Sequence, residues 1–437
     1  MAGTWTSQNK IRPGSYINFS SVPRPSMTVG DRGIGTMAIP LDWGAEGELI
    51  DVYSTDMLDG ASLAKVGVTA FDAGAKLLNL MLSGCYLAKI YRLNKGGEKA
   101  TATLGGLTAT AKYSGVFGNK ITVAISEADG VCTVTTYVDG TAQDAQTATV
   151  VQELGNNAFV SFSGAGALAV NAGMPLAGGT NGTGAQYPEY LSIAKGARWQ
   201  TMAYVQSETE PKTQFVAFAK MMRETEGKYV QVVIAGHDAD YQGVINADCG
   251  VELADGAIIT ADEATAWVAG ITAGASMTQS NGSVLFPGAV RILNNRTNSE
   301  IEEALLQGKF ILSTNSRGQI KVEDDINSLH TFTPRFNRDW RYNQVVRVMD
   351  EIGTTITDTW EQSYQHKIQN DENGRLVFKG DMLGYFNDLQ MRQAITGFVS
   401  GDLDIMRGED LDSVVSSVSV QPIVAMSKLY LDVFVRG

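Results

Sequence analysis

The chain reads as a multidomain α+β protein on three observations. Residues 21–98 and 184–331 each alternate strand-like and helix-like segments. Between them, residues 99–183 are rich in Thr, Ala, Gly and Val, carry few charges and break into short runs of period two. At the carboxyl end, Leu429, Leu431, Val433 and Val435 alternate with Tyr430, Asp432 and Phe434, the pattern of a β-strand at a place where chains are usually polar and frayed. The expected organisation is an N-terminal arm over 1–20, an α/β part over 21–98 and an inserted all-β sandwich or barrel over 99–183. A second α/β part follows over 184–331, then a C-terminal domain over 332–437 that includes a terminal arm, 415–437.

A chain of 437 residues can bury several cores. Hydrophobic residues make up 44% and charged residues 19%, the balance of a globular protein. The net charge of -13 disfavours direct nucleic-acid binding, which needs a basic face. The three cysteines, Cys85, Cys132 and Cys249, lack paired metal-site spacing and read as reduced thiols of a chain that folds in a cytoplasm. No apolar h-region follows Met1, so no secretory signal is expected. No run reaches the ~20 apolar residues of a membrane span.

Gly14–Phe19, after Pro13, is a short β-prone hexamer, so the N-terminal arm is expected to carry one pairing strand at Tyr16, Ile17, Asn18 and Phe19. Gly35–Pro40 is a strand stopped by proline. Residues 61–83 have helical spacing, with Leu63, Val66, Phe71, Leu77, Leu78 and Met81 apolar, and Tyr86–Leu93 is a strand. In the insert, strands are expected at ITVAIS from Ile121, VCTVTTYV from Val131, ATVVQEL from Ala148 and AFVSFS from Ala158. Asp129-Gly130 and Asp139-Gly140 mark hairpins between them. Gly178–Gly184 closes the insert as a flexible, hinge-like linker.

From Tyr187, helical segments at 187–203 and 209–226 flank a strand, MAYVQS. Tyr229–Ala235 is a near-continuous apolar strand, as in a sheet covered on both faces. Ala261–Gly274 is a helix capped by Asp262 or Thr260, and Asn298–Gln307 another capped by Asn298 or Ser299. Phe310–Ser313 and Gln319–Val322 form a hairpin. A long amphipathic helix starts at Arg338. Gly374 ends the turn after it, and a further helix runs from about Asp381 to Thr396.

Signatures of chemistry are sparse. The Gly-rich linker lacks the Gly-x4-Gly-Lys-Ser/Thr of a phosphate loop, and no Gly-x-Gly-x-x-Gly opens a helix. Asp238–Gly243 begins like a calcium loop, but Cys249 stands where the bidentate Glu belongs, so a plain turn is expected. His237, His330 and His366 form no zinc motif, and no Gly-x-Ser-x-Gly elbow is present. Catalytic, cofactor and metal sites are therefore not expected. Arg335, Arg338, Arg341 and Arg347 read as a solvated, salt-bridged helix face, with a docking surface for an acidic partner as the alternative.

Nine stretches in order then carry a resemblance: PGSYINF, RGIGTMAIPLDWG, AKYSGVFGNKITV, ADYQGVINADCGV, ITADEATAWVAGITAGA, a Phe-Thr-Pro element at Phe332, NQVVRVMDEI, DENGRLVFKG and VQPIVAMSKLYLDVFV. Together they resemble contractile tail sheath proteins of phages and phage-tail-like bacteriocins of the type found in Gram-positive hosts. Ser427 and Val424 depart from the acidic residues common at those positions. The resemblance implies a non-catalytic α/β body of subtilisin-like topology, an outward-facing β insert and terminal arms that add strands to neighbouring subunits. It also implies six-membered rings stacked around a tail tube, which contract on a baseplate signal and drive the tube through a cell envelope. Partners would be other copies of the chain, the tube protein, the baseplate and the tail terminator. The particle would be a virion or bacteriocin tail assembled in the host cytoplasm. The arm residues would be Tyr16–Phe19 and Leu429, Tyr430, Leu431, Asp432, Val433, Phe434 and Val435. Asp381, Asp388, Gln390 and Arg392 on the late helix would face the tube. Two other readings compete: an α/β hydrolase using His237 with nearby carboxylates, and a surface protein whose β insert binds a glycan.

Overall fold

The computed structural model describes residues 32–184 and 187–436, so the expected arm strand Tyr16–Phe19 lies outside the described residues. The described chain divides into two compact units: the portion up to Ile352 together with the segment from Pro422, and Gly353–Gln421.

The first unit is built on an eight-stranded sheet. Its strands are β1 (Ile34–Ile39), β2 (Leu49–Tyr53) and β3 (Leu87–Arg92), then five from later in the chain. Three helices cross between β2 and β3: α1 (Ser54–Asp59), α2 (Ser62–Val66) and α3 (Lys76–Leu82). The insert contributes β4 (Thr101–Leu104), β5 (Leu107–Ala111), β6 (Ile121–Ala128), β7 (Val131–Val138), β8 (Thr141–Ala148), β9 (Val160–Gly164) and β10 (Asn171–Pro175). The body then resumes with α4 (Tyr187–Gly196), β11 (Thr201–Ala203), α5 (Thr209–Glu224), β12 (Gln231–Ala235) and β13 (Val244–Asp248). A small three-stranded sheet follows from β14 (Val251–Leu253), β15 (Ile258–Ile259) and β16 (Ala289–Ile292), with α6 (Ala261–Gly274) between the last two. The body's last elements are α7 (Asn298–Leu306), β17 (Lys309–Thr314) and β18 (Ile320–Val322).

The large sheet has the order β18-β17-β13-β12-β11-β1-β3-β2. The run from β17 to β3 is parallel, and β18 and β2 close the edges antiparallel. Period-two alternation sorts its residues onto two cores. Met37, Ile39, Ile90, Val233 and Ile245 meet α3 and α6, whereas Ala38, Tyr91, Met202, Val232, Ile234 and Val244 meet α4 and α5. A parallel sheet covered on both faces explains why these strands read as continuous apolar runs. α3 and α6 touch through glycines. A Cβ on Gly270 would lie 2.1 Å from the Met81 carbonyl oxygen, and one on Gly84 2.3 Å from the Ile271 nitrogen. Only backbones without side chains pack that closely.

The insert folds as two facing sheets, β10-β6-β7-β8 and β4-β5-β9, around one core. Asp129, Gly130, Asp139 and Gly140 all have positive φ, the geometry of two-residue hairpin turns. Trp43, from the body loop after β1, is fully buried in this core. Its ring lies 4.9 Å from Phe117 and 5.1 Å from Tyr113, and its Nε1–H donates to the Ala64 carbonyl at 3.0 Å. Arg92, at the end of β3, is fully buried beside it and donates to the carbonyls of Gly44 (3.0 Å) and Ser114 (2.9 Å).

The second unit opens in α8 (Asn343–Thr359), which ends in a π-helical turn at Trp360–Tyr364. It continues with α9 (Glu372–Met391) and an antiparallel hairpin of Leu403–Arg407 with Val414–Val418. Among the described residues no helix is long and apolar enough to cross a membrane.

Several expectations change. The helix over 61–83 is broken: Gly67 takes φ 75° to end α2, and Phe71 is 99% exposed in the loop. ATVVQEL is not a strand. Its centre, Val151–Glu153, is a 3-10 turn, and the strand precedes it as TAQDAQTA. The linker at 178–184 is pinned rather than hinge-like. Gly179 exchanges hydrogen bonds with the Asn119 side chain at 2.8 Å, and Asn181 donates to Asp42 at 2.7 Å. The cap of α7 is Thr297, paired with Glu300, one residue before the expected cap. α9 starts nine residues earlier than expected: Asp371 caps it by accepting from the Gly374 amide, so this glycine opens the helix.

Because Trp43 is the body's contribution to the insert's core, Trp43→Ala is expected to cost about 3–5 kcal/mol and to lower the thermal unfolding midpoint. Trp43→Phe, which keeps the ring contacts but loses the bond to Ala64, should cost less.

Candidate assembly surface

The carboxyl-terminal segment leaves the first unit at an anchored root. The Ala425 amide donates to Gln344 Oε1 at 3.0 Å, while Gln344 Nε2 donates to the Thr278 carbonyl at 2.9 Å. One buried side-chain amide thus ties the root and the 278 loop to the start of α8. Val424–Ser427 also line a pocket of about 370 Å³ with Lys321, Glu323 and Asp324. Burial raises the Asp324 carboxyl above its ordinary pKa, more than nearby Arg341 lowers it.

Beyond the root the chain is bare. Leu429 is 86% exposed, Tyr430 90%, Phe434 88% and Val435 91%, with Leu431 and Val433 above 70%. No residue from 423 to 436 belongs to a ladder among the described residues. The alternating strand pattern is present, but a strand forms only against another edge. The structure therefore places the seven residues Leu429–Val435 on the surface, without a ladder partner among the described residues. The neighbouring stretch Val414–Val418 already pairs with Leu403–Arg407 of the same chain.

That hairpin is two-stranded, and its exposed apolar residues include Met406 and Val415. Sequence reasoning missed it as a surface, because a five-residue strand with serines at its centre carries little apolar signal.

The four residues expected to face the tube are mostly committed within the chain. The Tyr364 hydroxyl donates to Asp381. Gln390 Oε1 accepts from the Phe398 amide at 2.8 Å. Asp388 and Arg392 form an exposed ion pair at 2.7 Å, one helical turn apart.

The arginine cluster needs a correction. Arg335 and Arg338 are exposed, but Arg341 and Arg347 are buried, so the four do not share a solvated face. Arg341 donates to the Leu305 carbonyl at 3.1 Å. Arg347, 1% exposed, is paired with Asp325 at 2.9 Å, and Asp325 also accepts from the Asn281 amide and the Asn343 side chain. Nearby, Arg223 and Asp350 form a second buried, two-pronged pair at 2.6 and 2.8 Å. The amphipathic pattern of α8 hid this, because a buried charge and a surface charge look alike in sequence.

The Asp238–Gly243 segment is a turn tied to the chain at residue 330. Asp240 accepts from the amides of His330 (2.8 Å) and Thr331 (2.9 Å). Burial raises the Asp240 pKa, but those amides outweigh it and hold the carboxyl below its usual range. Among the described residues no group of three His, Cys, Asp or Glu side chains could hold a metal ion. His237 is held through its backbone amide, which donates to Asn246 Oδ1 at 3.1 Å.

Comparison with known proteins matches three family models along the chain. The phage tail sheath protein beta-sandwich domain covers residues 95–181, the phage tail sheath protein central domain 180–328, and the phage tail sheath C-terminal domain 336–436. The chain is 32% identical to the phage-like element PBSX protein XkdK of Bacillus subtilis (strain 168), over 99% of each. It superposes on the crystal structure of a sheath tail protein from Desulfitobacterium hafniense with a TM-score of 0.81, at 38% identity, over 94% of this chain and 96% of that one. The fold also matches the anti-feeding prophage helical sheath in its contracted state, with a TM-score of 0.59 at 12% identity, over 97% of this chain and 98% of that one.

Removing one partner of a buried pair leaves the other charge unsolvated. Arg347→Leu is therefore expected to destabilise the body by about 3–5 kcal/mol, while Arg338→Glu on the exposed side should stay within about 0.5 kcal/mol. Denaturant unfolding of the two variants checks this.

Proposed function

The chain belongs to the phage tail sheath protein family, and we propose that it is a structural subunit that polymerises as stacked hexameric rings around a tail tube and contracts to drive that tube through a cell envelope. The observation that carries this reading is the terminal stretch Leu429–Val435, apolar in alternation, exposed and without a ladder among the described residues. Fully burying one such Leu, Val or Phe side chain gains about 1.5–3 kcal/mol. Adding the stretch to a neighbour's sheet edge satisfies its backbone at the same time. The acceptor is the hairpin Leu403–Arg407 and Val414–Val418, which is two-stranded among the described residues, so that its outer edges could take the strand. Tyr16–Phe19 would be the second donor.

In this reading the division of labour follows the sequence. Residues 21–98 and 184–331 form the non-catalytic, subtilisin-like body, residues 99–183 the outward insert, and 332–437 the C-terminal domain with its arm. α9 would present the tube-facing surface, with Asp388 and Arg392 outward. The remaining partners would be the tube, baseplate and terminator proteins of a tail assembled in the host cytoplasm. The hydrolase and glycan-binding readings gain no support from the site geometry. The His237 ring has no hydrogen bond or ion pair to a carboxylate among the described residues.

Deletion of residues 429–437 is expected to leave a folded, monomeric chain that forms no tubes when concentrated, as read by far-UV circular dichroism, sedimentation and electron microscopy. Tubes of normal length from that truncation would overturn the proposal.

A further inference from the structure

The second unit contains a pocket of about 400 Å³. Its floor is aromatic. Trp360 and Tyr364 stack with centroids 6.1 Å apart, and Phe378 meets them edge-on at 5.3 and 4.8 Å. The π-helical turn creates this geometry by placing Trp360 and Tyr364 on one side of the helix end. In its wall stands Arg375, half-buried, whose Nη1 donates to the backbone carbonyl (3.1 Å) and side-chain oxygen (2.9 Å) of Asn370. Among the described residues Arg375 has no carboxylate partner within ion-pair distance.

The pocket is continuous with the hairpin. Asn370 Nδ2 donates to the carbonyls of Leu411 (3.0 Å) and Ser413 (2.8 Å), tying the hairpin turn to the pocket wall. Val414, the first residue of the hairpin's second strand, lines both. A strand laid along the hairpin therefore passes the pocket mouth.

The arm offers the matching face. In a strand, alternate residues share a side, about 7 Å apart. Tyr430, Asp432 and Phe434 thus form a face with a carboxylate between two aromatic rings, and all three are exposed. The pocket lining holds the Arg375 guanidinium beside an aromatic floor, with the Asp412 carboxylate at the hairpin-turn side. We infer that the pocket at Trp360, Tyr364, Phe378 and Arg375 receives the Tyr430–Asp432–Phe434 face of the arm from a second copy of this chain. Asp432 pairs with Arg375, and a flanking ring seats against Trp360. This rests on the reading of the chain as a self-assembling sheath subunit and specifies how the arm finds its register. A strand pair can slip by two residues without changing faces, whereas one carboxylate opposite one guanidinium fixes the position.

The test is a charge exchange in the full chain. Arg375→Glu alone and Asp432→Arg alone should each raise the concentration needed for tube formation at least about tenfold, since each sets like charges face to face. The double variant should recover to within about threefold of the unaltered chain. If Arg375 serves only its own loop, the double variant will be as defective as Arg375→Glu, and the inference falls. It falls equally if both single variants assemble normally. If the 429–437 deletion abolishes tubes while the single variants do not, the pocket is wrong and the arm reading stands; if the deletion itself forms tubes, both are wrong. To identify whose arm is seated, Gln369→Cys with Arg436→Cys, which leaves the Tyr430, Asp432 and Phe434 side chains intact, is oxidised in assembled material. A ladder of covalent oligomers supports the second copy. A crosslinked single chain, or the absence of a ladder, overturns it.

Discussion

An apolar strand in water is the constraint from which the rest of this molecule follows. Leu429–Val435 leaves four aliphatic and two aromatic side chains exposed and has no ladder among the described residues. A strand has no internal hydrogen bonds, so unlike a helix it cannot satisfy itself. Such a segment is a liability unless an edge is waiting for it, and the two-stranded hairpin at 403–418 supplies an edge of the same kind. On the proposed reading, donor and acceptor would each be incomplete in one chain. Association would then be the completion of a fold, with the anchored root at Ala425 and Gln344 setting where the donor starts.

The body is built for the opposite property. Its parallel sheet is packed on both faces, its α3–α6 contact runs backbone to backbone through Gly84 and Gly270, and its insert is locked to it by Trp43 and Arg92. Buried pairs such as Arg347–Asp325 and Arg223–Asp350 contribute geometry more than net stability, since desolvation offsets most of their attraction. A unit that transmits force between neighbours must not deform at its own seams. The linker at 178–184 illustrates this: a sequence of glycines, threonines and asparagine is held to Asn119 and Asp42.

Much of this was legible before any coordinates. Strands buried on both faces, such as Gln231–Ala235, announce themselves because every residue after Gln231 is apolar. The hairpins at Asp129-Gly130 and Asp139-Gly140 do so because few other pairs accept two positive φ angles. β8 did not, because TAQDAQTA is half in solvent and is held by its ladder to β7 rather than by burial. Phe71 misled because an exposed aromatic residue and a core one have the same letter. Of the assembly surface, the donor strand was readable from its alternation. The aromatic pocket was not, since Trp360, Tyr364 and Phe378 meet only through a π turn and a helix that begins nine residues before its pattern suggests.

Such an assembly would do work through the contacts between its subunits. A lattice of rigid bodies joined by strand ladders has two classes of contact. The ladders persist while segments between them bend, and the body faces are free to re-register. A difference of about 1 kcal/mol per subunit between two body registers is within the range of a single altered contact. Summed over a cooperative array it becomes a large, directional release, because no subunit can change register without straining its neighbours' ladders. The strength such an arm would need therefore exceeds what assembly alone demands: it would have to outlast the transition. A ladder with a carboxylate–guanidinium pair at its centre resists slipping along its axis far better than an apolar ladder, whose contacts repeat every two residues.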